Sequence, residues 1–199
     1  MKLKTTLLGK TYQFRDLKQV LAKANEEKSG DKLALLAAES AQERVAAKVV
    51  FAGVTLEELR EHPAVPYETD EVTRIIQDDL NLPEYEKVKL WTVSELREWI
   101  LDENTTGADI RRRSRGLTAE MAAAVCKLMS NLDLIYAARK ITVTAHCNTT
   151  IGLPGTLSCR LQPNHTTDDP EGITASVLEG LSFGAGDAVI GLNPVTEIG

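Results

Sequence analysis

Arg160, Gln162 and Asn193 are the residues of this chain whose types and placement could do chemistry. One guanidinium and two carboxamides offer a fork of donors and two carbonyl acceptors. That set can hold a small polar molecule by a hydroxyl and an amine. Their placement follows from period two. Thr156 to Gln162 alternates, so Ser158, Arg160 and Gln162 share one face of a strand while Leu157, Cys159 and Leu161 share the other. Asp187 to Asn193 alternates as well, with Ala188, Ile190 and Leu192 on one side and Asp187, Val189, Gly191 and Asn193 on the other. With helices packed on the apolar faces, the three polar side chains point inward at or near the C-terminal ends of their strands. In a (β/α) barrel that rim is where catalysis takes place. An inward arginine costs several kcal/mol if left unpaired. A purely structural role is the alternative, in which carboxylates from other strands neutralise it.

The elements that must position these residues lie between Asn148 and Thr196 and read as strand, helix, strand. Asp169 is a good N-cap and Pro170 a good first helical residue. Ile173, Val177 and Leu181 recur along one stripe, and Gly184 and Gly186 stop the helix. The polar loop Pro163 to Asp168 joins the first strand to that helix. Such a crossover is right-handed and parallel, and two strands cannot bury their faces alone.

Upstream the pattern is almost wholly helical, in pieces of roughly 8 to 14 residues. Leu3 to Leu8 and Thr11 to Phe14 flank Gly9-Lys10 as a small hairpin. Asp16 caps a helix carrying Leu17, Val20, Leu21 and Ala24 and ended by Gly30, and Leu33 to Ala38 forms another. Ser40-Ala-Gln-Glu43, Thr55-Leu-Glu-Glu58 and Thr92-Val-Ser-Glu95 are capping boxes. Asp70 begins a helix through Val72, Ile75, Ile76 and Leu80, and Pro83 a short one reaching Trp91. Asp109 to Arg115 is helical and exposed. Thr118 opens the most apolar helix, and Leu132 to Arg139 continues it after a break at Asn131. No period of about 20 to 50 residues repeats, which excludes a solenoid. Ile141 to Thr144 switches to β-branched alternation. The fold expected is therefore α/β, with a helical region over 1–140 and βα units over 141–199.

The totals narrow the function classes. An apolar fraction of 43% supports a core, and a net charge of −6 argues against a general nucleic-acid surface. No run of about 18 apolar residues occurs, and the start, MKLKTTLLGK, is too short in apolar residues for a signal peptide. Cys126, Cys147 and Cys159 are odd in number and form no CxxC pair, which suits a reducing cytoplasm. Other constellations are weaker. Arg111 to Arg113 with Arg115 reads as a solvated helix face, because no aromatic residues interleave. His146, Cys147, Cys159 and His165 match no zinc spacing, so no metal site is expected. Asp168 and Asp169 look like a carboxylate pair, but capping explains Asp169. No GxxxxGK or GxGxxG turn is present.

The runs NTTIGLPGTLSCRLQPN and EGLSFGAGDAVIGLNPVT, with SAQERVAAK, TRIIQDD and SNLDLIYAARK upstream, resemble the large (heavy) subunit of ethanolamine ammonia-lyase along the whole chain. That resemblance, and not the spacing, implies an adenosylcobalamin-dependent radical lyase that converts ethanolamine to acetaldehyde and ammonia. It implies a helical N-terminal region followed by a TIM (β/α)8 barrel that holds substrate and corrin. A small (light) subunit completes the cobalamin site, heavy subunits self-associate, and the assembly is often housed in a bacterial microcompartment. Carried over, Arg160 and Asn193 bind the substrate hydroxyl, Gln162 binds its amine, Leu161 lies between the first pair, and Pro194 lies against the cobalamin. Arg160 is the catalytic member, stabilising charge as the amino group migrates. No DxHxxG motif supplies an axial histidine.

The departure from the family is truncation. A barrel needs about 250 residues, and only about 50 follow residue 145. The family's acidic substrate residues are expected beyond Gly199, so the N-terminal portion alone is expected to be catalytically incompetent. Two further readings stand beside it. One is a non-catalytic helical interaction module for subunit or microcompartment assembly. The other, a barrel enzyme of different chemistry, needs phosphate or metal motifs that this stretch lacks.

Overall fold

The computed structural model describes residues 2–192. The chain divides into two compact units, Met1–Ile141 and Thr142–Gly199. The first opens on an antiparallel hairpin of β1 (Lys4–Leu7) and β2 (Lys10–Gln13), with Leu7 opposite Lys10. Only Leu8 and Gly9 are left for the turn, at φ 50° and 79°. Two positive φ values in succession match the right-handed twist of the flanking strands.

Helices follow: α1 (Leu17–Lys23), α2 (Ser29–Leu33), α3 (Ala41–Ala52), α4 (Leu56–Glu61), α5 (Glu71–Asp78), α6 (Leu82–Tyr85), α7 (Val93–Leu101), α8 (Gly107–Ser114), α9 (Ala119–Leu128) and α10 (Asn131–Lys140). Side-chain caps explain where most of them start. Asp16, Ser40, Thr55, Asp70, Thr92, Thr106, Thr118 and Ser130 each accept from the N–H three residues on. Each such cap contributes about 1 kcal/mol by satisfying a first-turn donor. The boxes at Thr55 and Thr92 are reciprocal. At Ser40 the return arm is displaced by one residue, since Glu43 accepts from the Glu39 N–H at 2.6 Å.

α3 packs against α1, β1, β2, α7 and α9, and α7 packs against α9 and α10. Val20, Phe51, Leu56, Leu59, Val88, Val93, Leu96 and Met121 are fully buried among them. Ala46, Ala47 and Ala124 are buried in the same cluster. Small side chains at such positions let helix axes approach. The starts of α4 and α7 are tied by an antiparallel bridge between Thr55 and Thr92, with Leu56 N–H donating to Trp91 O and Val93 N–H to Val54 O, both at 2.9 Å. Buried Lys23 is satisfied by Ala37 O at 2.8 Å and by Glu43 at 3.6 Å.

Several boundaries differ from the sequence expectation. α1 stops at Lys23 rather than at Gly30, because Asn25 to Gly30 contains no apolar residue to draw another turn onto the core. Gly30 instead lies inside α2, and the helix expected over Leu33 to Ala38 is absent. Leu35 there takes φ 58° and closes α2: Leu36 N–H reaches Asp31 O at 2.8 Å and Leu35 N–H reaches Lys32 O at 3.1 Å. This is a Schellman cap built on leucine instead of glycine. The break before α10 falls at Met129–Ser130, with Asn131 as the first helical residue. α6 ends at Tyr85, and turns rather than helix carry the chain on towards Trp91. The run Arg111 to Arg113 is more engaged than a solvated face. Arg112 pairs with Asp109 and Arg113 with Glu84, both at 2.8 Å.

The second unit carries β3 (Ala145–His146) and β4 (Thr150–Ile151), which pair antiparallel, and α11 (Pro170–Ser182). Ile141 to Thr144, expected as a strand, joins neither sheet. Among the described residues the sheets are thus two small antiparallel pairs, and the molecule is mostly helical. No helix among the described residues is long and apolar enough to cross a membrane.

Candidate functional site

The crossover that positions the candidate residues is present in reduced form. Leu161 pairs with Ile190 in parallel, through Leu161 N–H to Val189 O at 3.2 Å and Gly191 N–H to Leu161 O at 2.9 Å. Between them Asp169 caps α11, accepting from Gly172 N–H at 2.8 Å, and Pro170 is the first helical residue. The pairing is limited to this bridge: residues 156–160 run unpaired and exposed. A lone strand pair has no neighbour to hold its outer edges, so the ladder frays.

Side-chain alternation puts Leu161 and Arg160 on opposite faces. Leu161 lies against α11, at positions where Gly180 and Gly186 have no Cβ; an added methyl at either would collide with the leucine. Gly186, at φ 80°, also approaches the Leu161 backbone. The inward stripe of α11 is therefore Ile173, Ser176, Val177 and Gly180, with Leu181 exposed, a shift of one residue from the expected Ile173–Val177–Leu181. Glycine at 180 lets the helix settle on the leucine.

On the other face the structure brings Arg160 and Gln162 together, with Arg160 Nη2 donating to Gln162 Oε1. A Cβ on Gly191 would sit 3.8 Å from Arg160 Cδ and Nε, so residue 191 shares that face and leaves open space above the guanidinium. Asn193 and Pro194 lie outside the described residues. Both Arg160 and Gln162 are exposed, and Arg160 forms no ion pair among the described residues. A guanidinium whose only hydrogen bond among the described residues goes to a neighbouring carboxamide can hold a hydroxyl and reorient the amide oxygen toward an amine.

Two fastenings flank this face. After Gln162 the chain passes buried Pro163 to His165, whose Nδ1 accepts from the Thr167 and Asp169 N–H groups, each at 3.4 Å. The imidazole leans on Gly172 in the first turn of α11, where no side chain would fit. In the sequence His165 stands out only in the His146, Cys147, Cys159, His165 set, which matches no zinc spacing. Its spacing from the Asp169 cap was the available signal. At the start of the second strand, Asp187 accepts from Thr149 N–H at 2.7 Å and from the Thr149 hydroxyl. The Thr149 hydroxyl first, then the N–H groups of Thr149, Ala188 and Asn148, hold the Asp187 carboxyl below its ordinary range. Among the described residues no group of three His, Cys, Asp or Glu side chains could hold a metal ion.

A helical unit followed by a helix spanned by one parallel bridge, with two small antiparallel sheets, fits the N-terminal region of an α/β protein. Residues 12–198 match the family model described as ethanolamine ammonia lyase large subunit (EutB). The chain is 58% identical over 197 residues to the ethanolamine ammonia-lyase large subunit of Salmonella typhimurium, covering 99% of this chain and 44% of that protein. The same figures hold for the protein of that name from Escherichia coli K12. This chain belongs to the ethanolamine ammonia-lyase large-subunit family. It spans less than half the length of these relatives.

Proposed function

We propose that the chain contributes the helical region and the first βα unit of a TIM barrel to an adenosylcobalamin-dependent lyase that deaminates ethanolamine. The observation that carries this reading is the Arg160–Gln162 pair on the open face of a parallel crossover, within a sequence that belongs to this family over nearly its whole length. Ethanolamine carries one hydroxyl and one amine two carbons apart. Arg160 donates to the hydroxyl and positions charge where it develops as the amino group moves, and Gln162 accepts from the amine. Asn193 joins Arg160 at the hydroxyl. Leu161 contributes to the pocket through its main chain, its side chain being committed to α11.

The corrin's seat is not built from the described residues, Pro194 being the only residue of this chain proposed to touch it, so no step is routed through the cofactor. The remaining barrel strands, a small subunit and further copies of the large subunit complete the enzyme in the cytoplasm or within a bacterial microcompartment. Exposed apolar stripes on α5 (Val72, Ile75) and α10 (Leu132, Ile135, Tyr136) support subunit packing by the helical unit.

The test replaces Arg160 in a complete large subunit carrying this sequence, assembled with its small subunit. Arg160→Ala is expected to lower kcat for ethanolamine on the order of 10²–10³-fold. Arg160→Lys recovers little, because an ammonium lacks the planar fork. Unchanged circular dichroism is expected, since the side chain is exposed and among the described residues bonds only Gln162. Turnover equal to that of the unaltered enzyme would falsify the assignment.

A further inference from the structure

A groove of about 830 Å³ opens in the helical unit where α1 ends, α9 ends and α10 begins. Lys28, Lys48 and Lys127 line it with Glu26 as their one acidic neighbour there. Glu26 is taken by Lys48 at 2.7 Å. Lys127 finds only a neutral acceptor, Asn25 Oδ1, and Lys28 makes no ion pair among the described residues. Burial first, then the ammonium groups of Lys28 and Lys48, hold Lys127 below the ordinary lysine range, with Asp31 opposing. The lining carries three ammonium groups and one carboxylate, an excess that Asp31 offsets only in part, in a chain whose net charge is −6.

Two independent features sharpen what such a groove would hold. Ser130 and Asn131 line it, so the first turn of α10 opens onto it, and first-turn N–H groups that the Ser130 cap does not use favour an anion. Beyond the lysines the wall is apolar, from Ala24, Leu128 and Leu134. We propose that this groove binds a phosphate monoester, its dianionic head among the three lysines and the α10 N-terminus, its organic body on the apolar wall. A phosphate monoester is anionic near neutral pH, opposite in sign to the excess of ammonium groups in the lining.

Cys126 lines the groove and is exposed, whereas the equally exposed Cys147 and Cys159 belong to the other unit. The 199-residue chain is titrated with phenyl phosphate and with inorganic phosphate at constant ionic strength, and alkylation is followed at each cysteine by mass spectrometry. Saturating phenyl phosphate is expected to slow alkylation of Cys126 by about threefold while Cys147 and Cys159 react unchanged. Inorganic phosphate is expected to act at higher concentration. Lys28→Gln, at an exposed position, weakens the phenyl phosphate effect by about fivefold, the value of one nearby charge in water. The Lys28→Gln/Lys127→Gln double variant, with an unchanged far-UV spectrum confirming its fold, abolishes it. Equal action of the two phosphates overturns the organic body. No protection of Cys126, or the same protection in the double variant, overturns the site, leaving the lysines to serve the C-terminal carbonyls of α1 and α9.

Discussion

Arg160 escapes the penalty that an inward cation would suffer, because in this chain it remains in water. Its neighbour Gln162 already accepts one of its donors, so the pair is oriented before any ligand arrives. Leu35 shows the opposite situation, a side chain placed against its backbone preference. It sits at φ 58° to end α2 and is 87% exposed, so it gains almost nothing from burial. A non-glycine residue in the left-handed region costs roughly 1–2 kcal/mol. Leu35→Gly relieves that and loses part of the gain to the greater freedom of the unfolded chain. The expected outcome is a gain of about 0.5–1 kcal/mol in urea unfolding with an unchanged m value. A loss of stability would mean that Leu35 has packing the structure does not show. The facing of Arg160, Gln162 and Leu161 was legible because period two needs no tertiary information. Leu35 was not, since three nearby leucines at 33, 35 and 36 imitate a helical stripe and nothing in their types reveals that no partner covers them.

Many helix starts could be read because they are local, a hydroxyl or carboxylate three residues before an acid satisfying a first-turn donor. But α8 and α10 start at Gly107 and Asn131, ahead of the expected Asp109 and Leu132, on caps at Thr106 and Ser130. Strand extents could not be read, since a strand exists only where a neighbour pairs with it. Ile141 to Thr144 has strand-forming residues yet joins no sheet among the described residues, and Thr156 to Gln162 keeps a single bridge. What fixes the crossover at its other end is the Asp187 clasp on Thr149. Asp187 has its folded pKa depressed below 3.8, so its contribution is fully present above the unfolded value and fades as pH falls through the folded one. Asp187→Asn keeps one oxygen acceptor but loses the charge that the hydroxyl and N–H groups address. At pH 7 the Gly191 amide, which donates across the bridge to Leu161, is expected to exchange faster in the variant. That difference is expected to shrink as the pH drops below about 4. Equal exchange at pH 7 would remove the clasp from the account of the crossover.

Burial is distributed very unequally over the molecule. Every buried apolar residue of the core lies between Phe14 and Ala137, within the first unit. α11 buries no residue fully, and Phe183, at 81%, and Leu192, at 58%, remain exposed in the second unit. At about 1.5–3 kcal/mol for each fully buried large side chain, the helical unit holds nearly all the hydrophobic stabilisation that the described residues provide. Trp91 and Trp99, with ring centroids 5.6 Å apart, both report on that unit. A polypeptide ending at Ile141 is therefore expected to fold on its own, and its tryptophan fluorescence should follow one cooperative urea transition. Its midpoint should match that of the 199-residue chain, and amides of α11 in the longer chain should lose exchange protection well before that midpoint. If the shorter polypeptide instead melts at clearly lower urea, residues beyond 141 must help bury the helical core. The second unit would then be part of one cooperative fold rather than a weakly held piece.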